Sequence, residues 1–106
     1  MKRIRVPEYA VRNARKGLEQ RKQYPERKRP VLSVKEANEK DIHSGVTTAR
    51  TLIANDYISR EMAERIYDYL NRNQADGERS LVARLVWGGE ESRRFQKYLK
   101  RKVPTR

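Results

Sequence analysis

The sequence predicts an all-α fold: a compact bundle of four to five short helices with a central helix-turn-helix-like hairpin and basic terminal arms. Three observations lead there. Apolar residues recur three and four positions apart through most of the chain. Helix-start and helix-stop residues bracket those runs. Alternation with a period of two, the mark of a half-buried strand, is absent apart from an ambiguous Val31-Leu32.

Taken in order, Met1–Val6 (MKRIRV) is a short basic lead. Pro7 suits the first turn of a helix, where its missing N–H costs nothing. Val11, Ala14 and Leu18 then repeat at helical spacing to about Gln23, with Gly17 weakening the helix by about 1 kcal/mol relative to alanine. Tyr24–Pro30 (YPERKRP) has prolines near its start and at its end and reads as an exposed linker. Ser33-Val34-Lys35-Glu36 has capping-box spacing, but the polar KEANEKD after it supports only a short helix or frayed turn. Asp41 or Ser44 is the expected cap of the next helix, which buries Val46, Ala49, Leu52 and Ile53 and leaves Thr47, Thr48 and Arg50 outside. After a turn at Asn55–Ser59, Ser59 is placed to cap a helix whose apolar face is Met62, Ile66, Tyr69 and Leu70. Glu61 and Glu64 suit its positive end.

Gln74–Arg79 contains Asp-Gly and reads as a loop. Ser80 is the expected cap of a short apolar helix with Leu81, Val82, Leu85 and Val86. The structural turn Trp87-Gly88-Gly89 ends it, glycine permitting the left-handed conformation. Glu90 and Glu91 are expected to open the last helix, which buries Phe95, Tyr98 and Leu99, and Val103–Arg106 to fray. The expected core is Leu52, Ile53, Ile58, Met62, Ile66, Leu70, Leu81, Leu85, Trp87, Phe95 and Leu99. The expected organisation is residues 1–30 as a basic N-terminal helix and linker, and 31–106 as a helical domain with a basic C-terminal helix.

At 106 residues the chain holds one domain at most and a modest core. It has no cysteine, which excludes disulfides and thiolate metal sites. No apolar run approaches the roughly 20 residues of a membrane span, and no signal peptide follows the basic start. The formal net charge of +12 is unevenly placed. Residues 1–40 carry 13 basic and 5 acidic side chains, residues 41–92 carry 6 and 9, and residues 93–106 carry 7 and 0. Basic ends around a mildly acidic centre suggest a polyanion partner.

The run from Gly45 to Asn73, GVTTARTLIANDYISREMAERIYDYLNRN, and the later LVARLVWGGEESRRF resemble a small basic helical module of tailed bacteriophages. The shared features are Gly-Val-x-x-Ala-Arg-x-Leu, Ile-Ser-x-Glu, a polar Asn region, Trp-Gly-Gly with an acidic follower and a basic helix. Asn13-Ala14-Arg15-Lys16-Gly17-Leu18 upstream is also typical. The resemblance covers roughly residues 12–98. Phe95 stands where the pattern commonly has tryptophan, and a longer Lys/Glu-rich segment precedes Ser44. It implies a phage origin and a compact helical fold, and such modules occur beside head and packaging proteins as well as alone. The expected location is the host cytoplasm or the virion.

Catalytic chemistry is not expected. His43 is the only histidine, so zinc ligation of the usual kind is excluded, and a general base there has no visible partners. Glu61, Glu64, Glu90, Glu91 and Asp41 are better explained by helix starts than by a metal site. Gly88-Gly89 lacks the Lys-Ser/Thr of a phosphate-cradling loop. No cofactor and no metal are expected. Trp87 reads as a core plug rather than a base-stacking residue. Tyr9, Tyr24 and Tyr98, in basic surroundings, are weaker stacking candidates.

The leading expectation is nucleic-acid binding by phosphate contacts, to DNA rather than RNA. The contacts fall to Arg12, Arg15, Lys16, Arg21, Lys22, Arg27, Lys28 and Arg29 on one side, and to Arg93, Arg94, Lys97, Lys100, Arg101 and Lys102 on the other. Sequence-specific reading by Arg60, Glu61, Glu64 and Arg65 is disfavoured, because acids at the start of a reading helix repel phosphate. The alternatives are a structural role in the virion, among phage capsid or packaging proteins, and a small regulator that binds a host protein.

Overall fold

Helix-forming residues and a short β-ribbon build one core. The computed structural model describes residues 3–25, 29, 30 and 45–103. In chain order these form β1 (Arg3–Arg5), α1 (Glu8–Lys22), α2 (Gly45–Ala54), β2 (Tyr57–Ser59), α3 (Arg60–Arg72), α4 (Glu78–Val86) and α5 (Arg94–Lys102). The all-α class holds, with one addition. The basic lead is a strand, paired antiparallel with β2 in the register Arg3↔Ser59, Ile4↔Ile58 and Arg5↔Tyr57. Val6 N–H donates to the Asp56 carbonyl at 2.8 Å, so the pairing continues past β1. Ile4 and Ile58 are the inward residues and both are buried. The ribbon is thus riveted to the core by one isoleucine from each strand.

Ser59 ends β2 and begins α3. Its Oγ accepts from the Met62 N–H at 3.1 Å, satisfying one of the N–H groups a helix start leaves unpaired. Ala63, Ile66 and Leu70 are the buried stripe of α3, with Met62 and Tyr69 partly covered. The neighbours of the two central helices differ. α2 lies against α1 and α4, and α3 against α5 and the ribbon.

α1 presents Ala10, Ala14, Gly17 and Arg21 inward, a stripe rotated from the expected Val11-Ala14-Leu18; Val11 and Leu18 are half-buried. A Cβ at Gly17 would lie 2.4 Å from the Val86 amide nitrogen and 2.7 Å from the Leu85 carbonyl carbon. Glycine is therefore what lets the α1 and α4 backbones meet. Residues on both sides of position 30, from Ile4, Val6, Ala10 and Ala14 to Phe95, Leu99 and Val103, share one apolar cluster.

α4 starts at Glu78, two residues before the expected Ser80 cap, and Gly77 precedes it with φ +111°. Its end closes as a paired cap: Gly89 N–H donates to Arg84 O at 2.9 Å and Gly88 N–H to Leu85 O at 2.8 Å. Gly88 adopts φ +86°, with Phe95 and Leu52 packed where a side chain would go. Asn13 Nδ2 of α1 donates to the Gly88 carbonyl at 3.1 Å. Trp87 is 5% exposed and stacks on Tyr69 of α3 at 4.0 Å between ring centroids, so it fills core as expected.

Several expectations are corrected. Thr48 is fully buried rather than outside, and Val103 is packed in the core rather than frayed. Ile53, Met62 and Leu81, expected in the core, are half-buried. Glu90 and Glu91 precede the last helix without opening it. A turn closes from Arg93 N–H to Glu90 O at 3.0 Å, Arg93 takes the left-handed conformation at φ +60°, and α5 begins at Arg94. Pro30, expected in an exposed linker, is buried. The expected capping box at Ser33, the caps at Asp41 and Ser44, and His43 lie outside the described residues.

Candidate nucleic-acid interface

α5 carries the sequence RFQKYLKRK, in which Phe95 and Leu99 are buried and every cation is exposed. At 100° per residue, Arg93, Lys97 and Lys100 share a stripe opposite that buried pair. They line a groove of about 200 Å³ against α3, completed by Tyr67, Asn71 and Gln96. Gln96 Nε2 donates to Asn71 Oδ1 at 2.5 Å, so polar side chains join the two helices beside the cations. The last turn of α5 holds Lys100, Arg101 and Lys102, at the negative end of the helix dipole. Among the described residues no carboxylate lies within ion-pair distance of Lys97, Lys100 or Arg101.

The other cations of this end are engaged within the chain. Arg94 pairs with Glu90 at 3.0 Å and lies over the Tyr9 ring at 3.8 Å. Lys102 lies over the Tyr98 ring at 5.4 Å. Tyr98 Oη donates to the Arg5 carbonyl at 2.7 Å, tying α5 to β1. Burial pushes the Tyr9 and Tyr98 hydroxyls up from the ordinary tyrosine pKa, partly opposed by Arg94 at Tyr9 and by Arg5 at Tyr98. Tyr9 also meets Phe95 edge-on at 6.2 Å. Tyr24 is half-buried and faces Arg79 at 5.6 Å. The three tyrosines considered for stacking are therefore each in contact with a cation of the chain itself.

The N-terminal cations divide. Arg21 is 8% exposed, and its Nε donates to the Pro30 carbonyl at 2.9 Å, so it holds the chain after α1 and does not present its guanidinium to a phosphate. Arg12, Arg15, Lys16 and Lys22 are exposed. Arg12 pairs with Glu8 at 3.2 Å. Lys16 lines a cleft of about 380 Å³ that also contains Glu90 and Glu91, so acidic side chains lie beside this cation. Arg29 Nε donates to the Tyr24 carbonyl at 3.2 Å. Arg27 and Lys28 lie outside the described residues.

On α3, Arg60 pairs with Glu64 at 3.3 Å and Arg65 with Glu61 at 3.4 Å, while Arg72 Nε donates to the Asp68 carbonyl at 3.3 Å. α5 carries five cations and no acid, the densest positive charge of the described helices, while Arg15, Lys16 and Lys22 of α1 are also exposed. Arg3 and Arg5, on the outer face of the ribbon, were not among the sequence-derived contacts. Only the pairing of β1 with β2 reveals which way they point.

Among the described residues no group of three or more His, Cys, Asp or Glu side chains gathers as a metal site, and no helix is long and apolar enough to cross a membrane. Comparison with protein-family models, with curated proteins and with solved structures finds no match for the chain.

Proposed function

We propose that the protein binds nucleic acid through the nucleic acid's phosphate backbone, with Arg93, just before α5, and Lys97, Lys100 and Arg101 of α5 as the principal contacts. The observation that carries this reading is the α5 stripe: cations at helical spacing, exposed, and with no carboxylate paired to Lys97, Lys100 or Arg101 among the described residues. From Arg93 to Lys100 the stripe rises about 10 Å. A DNA strand presents a phosphate about every 3.4 Å along the axis, so the stripe matches roughly three phosphates of one strand. Lysine and arginine at such spacing neutralise phosphates without reading bases, and binding is expected to be non-specific in sequence. The resemblance of residues 12–98 to the tailed-phage module makes phage DNA the partner that suits this reading.

The test is fluorescence anisotropy on a labelled mixed-sequence duplex, comparing the unaltered chain with Lys97→Gln/Lys100→Gln and with Arg21→Met. The double variant is expected to lose at least tenfold in affinity. Arg21→Met should bind unchanged and melt at lower temperature, because it removes an internal contact. A double variant that binds as well as the unaltered chain overturns the assignment to α5.

A further inference from the structure

The outer face of the β-ribbon carries a second arrangement that phosphate neutralisation does not use. Both strands alternate exposed-buried-exposed, so Arg3, Arg5, Tyr57 and Ser59 stand together on the outside while Ile4 and Ile58 anchor beneath. Tyr57 is 45% exposed, the only large hydrophobic side chain so open to solvent among the described residues. Its neighbour in register is Arg5, and the Arg3 guanidinium lies over its ring at 5.2 Å. Tyr69 stacks on Trp87, and Tyr9 and Tyr98 pack on Phe95, so these rings are turned to the core. A rigidly mounted aromatic beside two cations, joined to α5 through Tyr98 and Arg5, is the arrangement that single-stranded nucleic acid engages.

We infer that Tyr57 is a stacking platform for an unpaired base, with Arg3 and Arg5 contacting the adjoining phosphates, so that the protein holds single strands in preference to duplex. This rests on the α5 reading above and adds the class of nucleic acid to it. In a duplex every base face is already covered by its neighbours, so the ring gains nothing there; in a single strand a base can leave the stack and lie on tyrosine. Arg3, on a flexible stem, yields the ring to the base and pairs with its phosphate instead. The strand runs from the ribbon toward Arg101 and Lys102. Arg5 also lines a cleft of about 260 Å³ with Glu8 and Asp56, whose carboxylates would turn the strand away from that side of Arg5.

The experiment uses the full chain and two labelled oligonucleotides of one sequence, a single strand containing 2-aminopurine and its blunt duplex. Tyr57→Ala is expected to weaken single-strand binding by roughly 5- to 160-fold, the range for loss of one stacked base, and to leave duplex affinity within about twofold. Tyr57→Phe should retain both, and 2-aminopurine fluorescence should change on binding to the unaltered chain and to Tyr57→Phe but not to Tyr57→Ala. Tyr57→Thr, which favours a strand without an aromatic ring, should repeat the alanine result if alanine disturbs the ribbon. Equal losses on both oligonucleotides, no loss on either, or a Tyr57→Phe that behaves as Tyr57→Ala would overturn the inference. If the unaltered chain binds neither oligonucleotide, the α5 reading falls and this inference with it. If it binds both and loss of the ring changes neither, stacking alone is refuted.

Discussion

Gly17 shows how one residue serves two opposed demands. In an isolated helix alanine is better than glycine by about 1 kcal/mol. Here a methyl group would meet the α4 backbone at 2.4 Å, and backbone does not yield as a side-chain end does. Overpacking of this kind costs about 1–3 kcal/mol, and two backbones locked by their own hydrogen bonds place it at the upper end. Gly17→Ala is therefore expected to lower stability by about 1–2 kcal/mol net, read as a lower urea midpoint; a raised midpoint would mean that the helices separate easily. Tyr69 supplies a pH-dependent counterpart. Its hydroxyl pKa is raised, chiefly by burial and against the opposing charges of Arg72 and Arg84. A raised folded-state pKa favours the protonated folded form, so this contribution is complete below the unfolded value near 10 and is lost as pH climbs through the folded value. Tyr69→Phe should be less sensitive than the unaltered chain to unfolding above pH 10, measured by melting temperature against pH.

At the scale of elements, the ribbon and α5 were legible to different degrees for physical reasons. Ser59 as a cap and Trp87-Gly88-Gly89 as a stop are local chemistry, and local chemistry survives folding. The ribbon was not legible, because each three-residue strand contributes a single inward side chain, Ile4 or Ile58, and one residue makes no alternation. Its partner lies more than fifty residues away, a pairing no local pattern encodes. The same limit applies to the site. Which residues are cationic is plain from the sequence, but not that Arg21 turns inward to Pro30, nor that Lys16 faces Glu90 and Glu91. Those facts depend on which elements pack together. Two substitutions separate the ribbon's roles. Ile58→Ala should cost about 2–5 kcal/mol by emptying a buried position, and Ser59→Ala about 1 kcal/mol by removing a helix cap. Urea unfolding measures both, and an Ile58→Ala variant as stable as the unaltered chain would mean that the ribbon is not part of the core.

For the whole molecule, the division of charge matters more than its sum. The chain's formal charge is +12, yet Arg60 and Arg65 of α3 pair with i,i+4 acids, and Lys16 of α1 shares a cleft with Glu90 and Glu91. Each such pair adds only a few tenths of a kcal/mol to stability, on the order of 0.3–0.5, but it withdraws a cation from the unpaired surface. What is left is densest on α5, with Arg15, Lys16 and Lys22 of α1 and the two ribbon arginines also exposed, so binding should involve fewer phosphates than the total charge suggests. The most direct test is the dependence of the duplex binding constant on salt. About four phosphate contacts, at Arg93 and on α5, predict a slope of log K against log salt near −3.6, at roughly −0.9 per phosphate, and Lys97→Gln/Lys100→Gln should make it shallower by about 1.8. A binding constant indifferent to salt, or a slope the double variant leaves untouched, would contradict the account.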